Sequence, residues 1–234
     1  MLSGRFILAE ELLEPGIRIL DRLRFYTGFG CEHINFYSMQ VDTAKNPPST
    51  EDRAWGIFRL SMELSAPGLG LEIDAIPALR CTWTWYADGE NFNQGTLATG
   101  RRFELPGLTF LELGARWTML NGEVPYFHEI SVGGGGFRGF SGRDWHSRNI
   151  TKLSTSARTS LYRDYLFLGI FADGVYFEGS GRDLSGYHYG VAAGISAQLL
   201  FWDQFAGEIS FGRDRLLTTG RSGKNLSFSI KRVW

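Results

Sequence analysis

The residues able to do chemistry in this chain are few, and the most suggestive is one arginine. Four successive glycines, Gly133 to Gly136, are followed by Phe137-Arg138-Gly139-Phe140 and then Ser141-Gly142-Arg143-Asp144. The glycines allow almost any backbone angle, which suits a loop threaded through a tight space. In a confined polar space the Arg138 guanidinium can hold a carboxylate by planar, bidentate contacts. Trp145-His146-Ser147 comes next and offers a base beside a hydroxyl. Those two are sequence neighbours and no third group orients them, so an exposed loop tip is the better reading. The remaining histidines, His33, His128 and His188, fall singly on strands, and no metal-ligand spacing occurs. The expectation is a non-enzymatic protein without metal or cofactor.

A second set of charges sits on the polar side of alternating segments: Glu112, Arg116, Arg158, Glu208 and Lys231. Facing a lumen, they could line a pore and set its selectivity, or pack into a plug. Plugging is favoured, because an inserted loop would occupy the same space.

The elements that would carry these residues are strands. Phe58, Leu60, Met62 and Leu64 alternate with Ile57, Arg59, Ser61 and Glu63. Leu79 to Tyr86, Leu111 to Met119, Lys152 to Leu161, Leu166 to Tyr176, Tyr187 to Phe201, Phe205 to Gly212 and Asn225 to Lys231 share the period of two. Cys31 to Thr43 reads as a further strand. Residues 1–30 leave a short helix or the first strands open, the strand version turning at Pro15-Gly16. A polar loop is expected over 88–107. Asn121-Gly122 reads as a hairpin returning through Tyr126–Val132. Each segment runs about ten residues, the length of a tilted transmembrane strand, and several apolar faces end in aromatics such as Tyr187, Tyr189, Phe201 and Trp202. Short turns alternate with long connections around 44–53, 88–107, 134–150, 178–186 and 214–224, as periplasmic turns and outer loops do. Seven strands before the glycine run and five after it give about twelve, which places both termini on one side. A water-soluble sandwich or lipocalin-like barrel is the alternative.

Composition agrees. Aromatics make up 15% and glycines number 30, both high for a soluble globular chain. The net charge is -1, with no basic patch to suggest nucleic acid. No stretch approaches a transmembrane helix. Met1 to Arg5 lead into no apolar signal core, so an exported protein would be represented here by its mature form. Cys31 and Cys81 read as unpaired thiols, with a bridge as the alternative.

At this point the residues resemble a family. Gly136, Phe137, Arg138, Gly139 and Phe140, five strands from the C-terminus, resemble the sixth-loop signature of the bacterial surface antigen superfamily of outer-membrane β-barrels, whose members include BamA, TamA and transporters of two-partner secretion. Phe171-Ala172-Asp173-Gly174 resembles that family's second signature, Phe-x-Asp-x-Gly. The resemblance implies that the loop, residues 133–150, folds into the barrel and that Arg138 meets Asp173. It also implies a C-terminal insertion signal, here Phe228, Ile230 and Trp234, read by the machinery that inserts outer-membrane barrels. Three departures stand out. There is no room for POTRA domains, the strands are about four fewer than the usual sixteen, and Arg158 falls near a position where the family has a glutamate.

The resulting expectation is an all-β, single-domain transmembrane antiparallel barrel of about twelve strands over residues 1–234, in the bacterial outer membrane, with an inward-folded Arg-Gly-Phe loop. Its function would be porin-like or bilayer-organising, in contact with membrane lipid. Small residues on the apolar faces, such as Ala193, Ala197 and Gly207, suggest a homo-oligomer. Assembly or translocation of other proteins, with a separate periplasmic partner, is the second reading. A lipid-modifying enzyme is the third.

Overall fold

The computed structural model describes residues 3–20, 23–40, 53–64, 79–87, 91–107, 109–125, 128–132, 145–162, 165–181, 184–201 and 205–232. They form thirteen strand segments: β1 (Ser3–Leu13), β2 (Gly16–Leu20), β3 (Leu23–Gln40), β4 (Arg53–Leu64), β5 (Leu79–Ala87), β6 (Phe92–Leu105), β7 (Thr109–Gly122), β8 (Ile130–Ser131), β9 (His146–Tyr162), β10 (Leu166–Gly181), β11 (Leu184–Phe201), β12 (Phe205–Leu216) and β13 (Ser222–Arg232). All belong to one antiparallel sheet, ordered β1-β3-β4-β5-β6-β7-β9-β10-β11-β12-β13, with β2 beside β3 and β8 beside β9.

β1 and β2 are two stretches of one strand. Leu13 pairs with Phe29 and Gly16 with Tyr26 in a continuous register, and the Thr27 amide donates to the Pro15 carbonyl between them. Pro15 interrupts the ladder because it has no N–H to donate. Counted this way the sheet has twelve strands, the number expected. Their identities differ from the expectation in three places.

First, the chain does not turn at Pro15-Gly16; it reverses between Leu20 and Leu23, so the segments around 17–26 and 31–43 resolve into β2 and one long β3. Second, most of the expected loop over 88–107 is β6, paired along its length with β5 and β7. From Asn93 to Arg101 its outward side carries Asn93, Gly95, Leu97, Thr99 and Arg101, a run with a single apolar side chain, so no hydrophobic period announced it. Trp83 supplies the missing surface by lying over Gly95, where an added Cβ would stand 2.5 Å from the indole ring. Third, Asn121-Gly122 makes no crossing hairpin. β7 pairs with β9 instead, and Val124, His128, Ile130 and Val132 pack on the inner side. Gly122 has φ +100, and a Cβ there would meet the Asn91 carbonyl oxygen at 2.5 Å. Pro125 then cannot donate to a ladder. Only Ile130 and Ser131 pair again, against Ser147 and His146.

The long connections are fewer than expected, because strands extend into them. β10 and β11 meet between Gly181 and Leu184, β12 and β13 between Leu216 and Ser222, and β9 already begins at His146, inside the span assigned to the loop. Eleven strands form the through-going path, so Ser3 and Arg232 lie at opposite rims of the sheet, not the same one. The upper rim carries the connections after β3, β5, β7, β10 and β12; the lower rim carries those after β2, β4, β6, β9 and β11.

The two faces of the sheet differ sharply. Outward positions hold exposed Leu60, Leu97, Leu153, Ile170, Ile195, Ile209, Leu226, Phe228 and Ile230, with Ile170 at 63% and Leu226 at 70% exposure. Apolar patches of that extent are not left facing water by ordinary soluble proteins. Tyr176, Tyr187 and Tyr189 cluster on this face near the upper rim, Tyr162 and Tyr165 near the lower. From Tyr189 to Leu199 the strand covers about 34 Å, or about 25 Å of height at barrel tilt, which matches the apolar band of a membrane barrel.

The inner face is buried and packed. The sheet curls around it, as one segment demonstrates. Ile130 pairs with Ser147 on β9, while His128, two residues earlier, approaches Glu32 on β3 at 3.4 Å. β3 and β9 are five strand spacings apart, about 24 Å on a flat sheet, whereas two extended residues reach about 7 Å.

Candidate functional site

The site is the interior, and it is built in two tiers. The lower tier centres on Arg158 of β9. A strand points alternate residues inward, so Glu112 on β7, Ser156 and Arg158 on β9, Gln198 on β11 and Glu208 on β12 all meet there. The Arg158 guanidinium lies 3.6 Å from the Glu112 carboxylate and 3.7 Å from that of Glu208, and it donates to the Gln198 amide oxygen. The Ser156 hydroxyl donates to Glu112 at 3.1 Å. All five side chains are buried. Gly169 makes the arrangement possible: a Cβ there would stand 2.8 Å from Cγ of Arg158 and 3.2 Å from the Ser196 hydroxyl. The arginine stem thus lies against a β10 position that has no side chain.

One cation against two carboxylates brings counter-charges from three strands to a single point. A buried pair of this kind costs desolvation and is of small net value, yet removing one partner strands the others. Its effect is to fix the curvature of the β7–β12 wall.

The upper tier is the inner segment. His128 stands in an aromatic box, edge-on to Trp55 at 5.2 Å and tilted against Tyr86 at 5.2 Å and Phe92 at 4.8 Å, while Tyr86 and Phe92 stack at 4.3 Å. Burial pushes the imidazole down from 6.5 to about 4, and the Glu32 carboxylate at 3.4 Å does not offset it. Val124 and Ile130 pack with this cluster, and Ile130 also touches a second apolar cluster of Val132, Ile150, Val175, Phe177, Ala192 and Leu216. β9 ties the segment down: Arg148 donates to Glu129 at 3.0 Å and to the Val124 carbonyl at 3.4 Å, and Lys152 donates to the Ser131 carbonyl at 3.5 Å.

The expected site residues divide clearly. Glu112, Arg158 and Glu208 come together as described. Arg116 is on the same face but solvent-exposed, beside Lys152 across the β7–β9 ladder. Lys231 pairs with Ala206 on β13, and its side chain lies outside the described ones. Asp173 faces inward and is 4% exposed. Arg138 and the signature-loop residues Gly136, Phe137, Gly139 and Phe140 lie outside the described residues, as does Trp234. Phe228 and Ile230 are exposed on the outward face of β13. His146 and Ser147 are in strand β9, not at a loop tip, and the Ser147 hydroxyl exchanges both its hydrogen bonds with the Asn149 backbone. Cys31 and Cys81 are free thiols on β3 and β5.

Sequence reasoning missed Glu32 with His128, and it missed Asp214. Asp214 is inward, 3% exposed, and shares a rung with Asp173 across Ala192. The available signal was the alternation Glu208, Ser210, Gly212, which continues to Asp214 once β12 is not ended at Gly212.

No family model matches the sequence, and no curated protein matches it. Among solved structures, the fold is similar to that of BamA from Haemophilus ducreyi lacking POTRA domains 1-3, with TM-score 0.65 and 14% sequence identity over 97% of this chain and 54% of that one. The chain therefore spans about half the length of that structure. At this identity the likeness is one of fold: an all-β, BamA-like β-barrel.

Proposed function

We propose that the chain is an outer-membrane β-barrel whose interior is plugged and which acts on the bilayer itself, organising or perturbing it, without catalysing a reaction. The observation that carries this reading is the contrast between faces. The outward face is a broad exposed apolar surface edged by tyrosines, and the inward face is filled by the Arg158 cluster and by Val124 and residues 128–132. An open porin needs the reverse inside, a solvated polar channel. The Arg138–Asp173 pair belongs to the same proposal, as a further contact holding the interior closed.

Reconstitution tests it. The purified chain should float with phospholipid vesicles, resist alkaline extraction, and show tryptophan quenching by acyl-chain bromines at the outward face. A protein that stays soluble and leaves the vesicles behind would refute the membrane reading.

Assembly or translocation of other polypeptides is a second reading, favoured by the BamA-like fold. It calls for a separate periplasmic partner, and stoichiometric co-purification of such a partner would move the proposal there.

A further inference from the structure

The outward face of β10–β13 is not uniformly apolar. Near the upper rim, Arg213 and Arg215 of β12 and Lys224 of β13 are all exposed on it. Arg213 pairs directly with Lys224, and Arg215 pairs with Ser222. Three cations are thus gathered on neighbouring rungs. None of them makes an ion pair among the described residues, and the nearest inward acid, Asp214, is buried on the other face. Like charges directly opposite one another on a sheet repel, so the arrangement favours a bound anion.

The surface beside them is shaped to receive one. A depression of about 980 Å3 is lined by Ala172, Gly174 and Ala193 together with the three cations; Asp173 and Asp214, which are buried, also border it. One outward position further down the same strands lies a second groove of about 560 Å3, whose lining includes Leu168, Ile170, Ile195, Ala197, Ile209 and Phe211. The rung of Arg215 also carries Val191, one outward position below Tyr189. Arg213 and Lys224 lie on the rung of Ala193, two outward positions below Tyr189. All three cations thus start just inside the tyrosine level and reach the headgroup region by extending their long side chains upward. Cations on a lipid face are tolerated at that depth and costly at the midplane.

From this juxtaposition we infer a binding site for a membrane lipid of net negative charge whose phosphate is not capped by a cation. Its phosphate would sit among Arg213, Arg215 and Lys224, where guanidinium groups offer paired donors, and its acyl chains would follow the apolar groove toward the lower rim. The inference rests on the membrane reading above and names the lipid class that the barrel would organise.

Delipidated protein in nonionic detergent, titrated with phosphatidic acid and followed by native mass spectrometry, provides the test. Phosphatidylcholine with the same chains and inorganic phosphate serve as comparisons. Phosphatidic acid should be retained and phosphatidylcholine released, and free phosphate should compete only weakly because it lacks the chains. Removing the cations (R213A, R215A, K224A, singly and together) should weaken phosphatidic acid up to about a hundredfold, whereas R213K with R215K should keep it. Ala197→Trp, which fills the groove, should weaken the lipid without affecting free phosphate. Equal retention of both lipids, or unchanged affinity in cation variants that still show the folded gel-mobility shift, would overturn the site while leaving the membrane reading intact. Failure of the unmodified chain to insert into vesicles would overturn both.

Discussion

Arg158 and Glu208 approach to 3.7 Å across the inner face although their strands, β9 and β12, are separated by two others. The contact makes one side chain a clamp on the curvature of a four-strand wall. Arg158→Ala leaves the buried Glu112 and Glu208 carboxylates without their cation, and should cost about 3–5 kcal/mol. Replacing all three charges together, with Arg158→Met, Glu112→Gln and Glu208→Gln, should cost less than the single change. Urea unfolding from vesicles measures both, and a milder single than triple variant would mean that the clamp is not at Arg158. Gly169→Ala should reproduce much of the single loss, because its methyl enters the arginine's path.

The outward face gives the sharpest contrast between water and lipid. Ile170 is exposed, so in an aqueous surface Ile170→Arg would be close to neutral. In a bilayer the same change should cost about 2–4 kcal/mol. Folding yield and unfolding midpoint in vesicles decide between the two, and a near-zero effect would argue for a water-facing sheet.

Gly122 and Gly107 both have positive φ, +100 and +79, but only Gly122 is hemmed in. Gly107→Ala should lose about 1 kcal/mol from backbone strain alone. Gly122→Ala should lose more, since its methyl would push the Asn91–Phe92 backbone away and misdirect the inner segment. The two unfolding curves, compared directly, check the difference.

The inner segment should respond to acid through His128. Its imidazole titrates near 6.5 when unfolded and near 4 when folded. Between those values the unfolded segment takes up a proton that the folded one does not, so the folded segment loses stability as pH falls from 6.5 toward 4. Above 6.5 both forms are neutral and no dependence arises from this group. Amide exchange over residues 123–132 should speed up across that window, and His128→Gln should flatten the response.

Much of the barrel was legible because its outward face obeys a strict period of two. From Tyr187 to Leu199 apolar outward side chains alternate with small or polar inward ones, His188, Gly190, Ala192, Gly194, Ser196 and Gln198, and one face alone explains the pattern. β6 was hidden because its outward side from Asn93 to Arg101 carries one apolar side chain, Leu97, and Trp83 of its neighbour supplies the surface over Gly95. The 123–132 segment was misread because Asn121-Gly122 states a turn without stating its direction. The pairing that decides it, β7 with β9, is remote in sequence. Glu112, Arg158 and Glu208 could each be placed on the inner face, but that they converge depends on sheet curvature, which no local pattern encodes. Asp214 and the exposed cations beside it lay beyond the expected end of the strand at Gly212, and only the continued register of β12 separates them onto opposite faces.

The central claim, a membrane barrel with a filled interior, is tested most directly by single-channel recording of the refolded chain in a planar bilayer, beside a variant lacking residues 123–132. A silent parent and a conducting variant are predicted, because the inner segment bridges the two apolar clusters of the interior. Steady conductance in the parent would contradict the account and make the interior a pore.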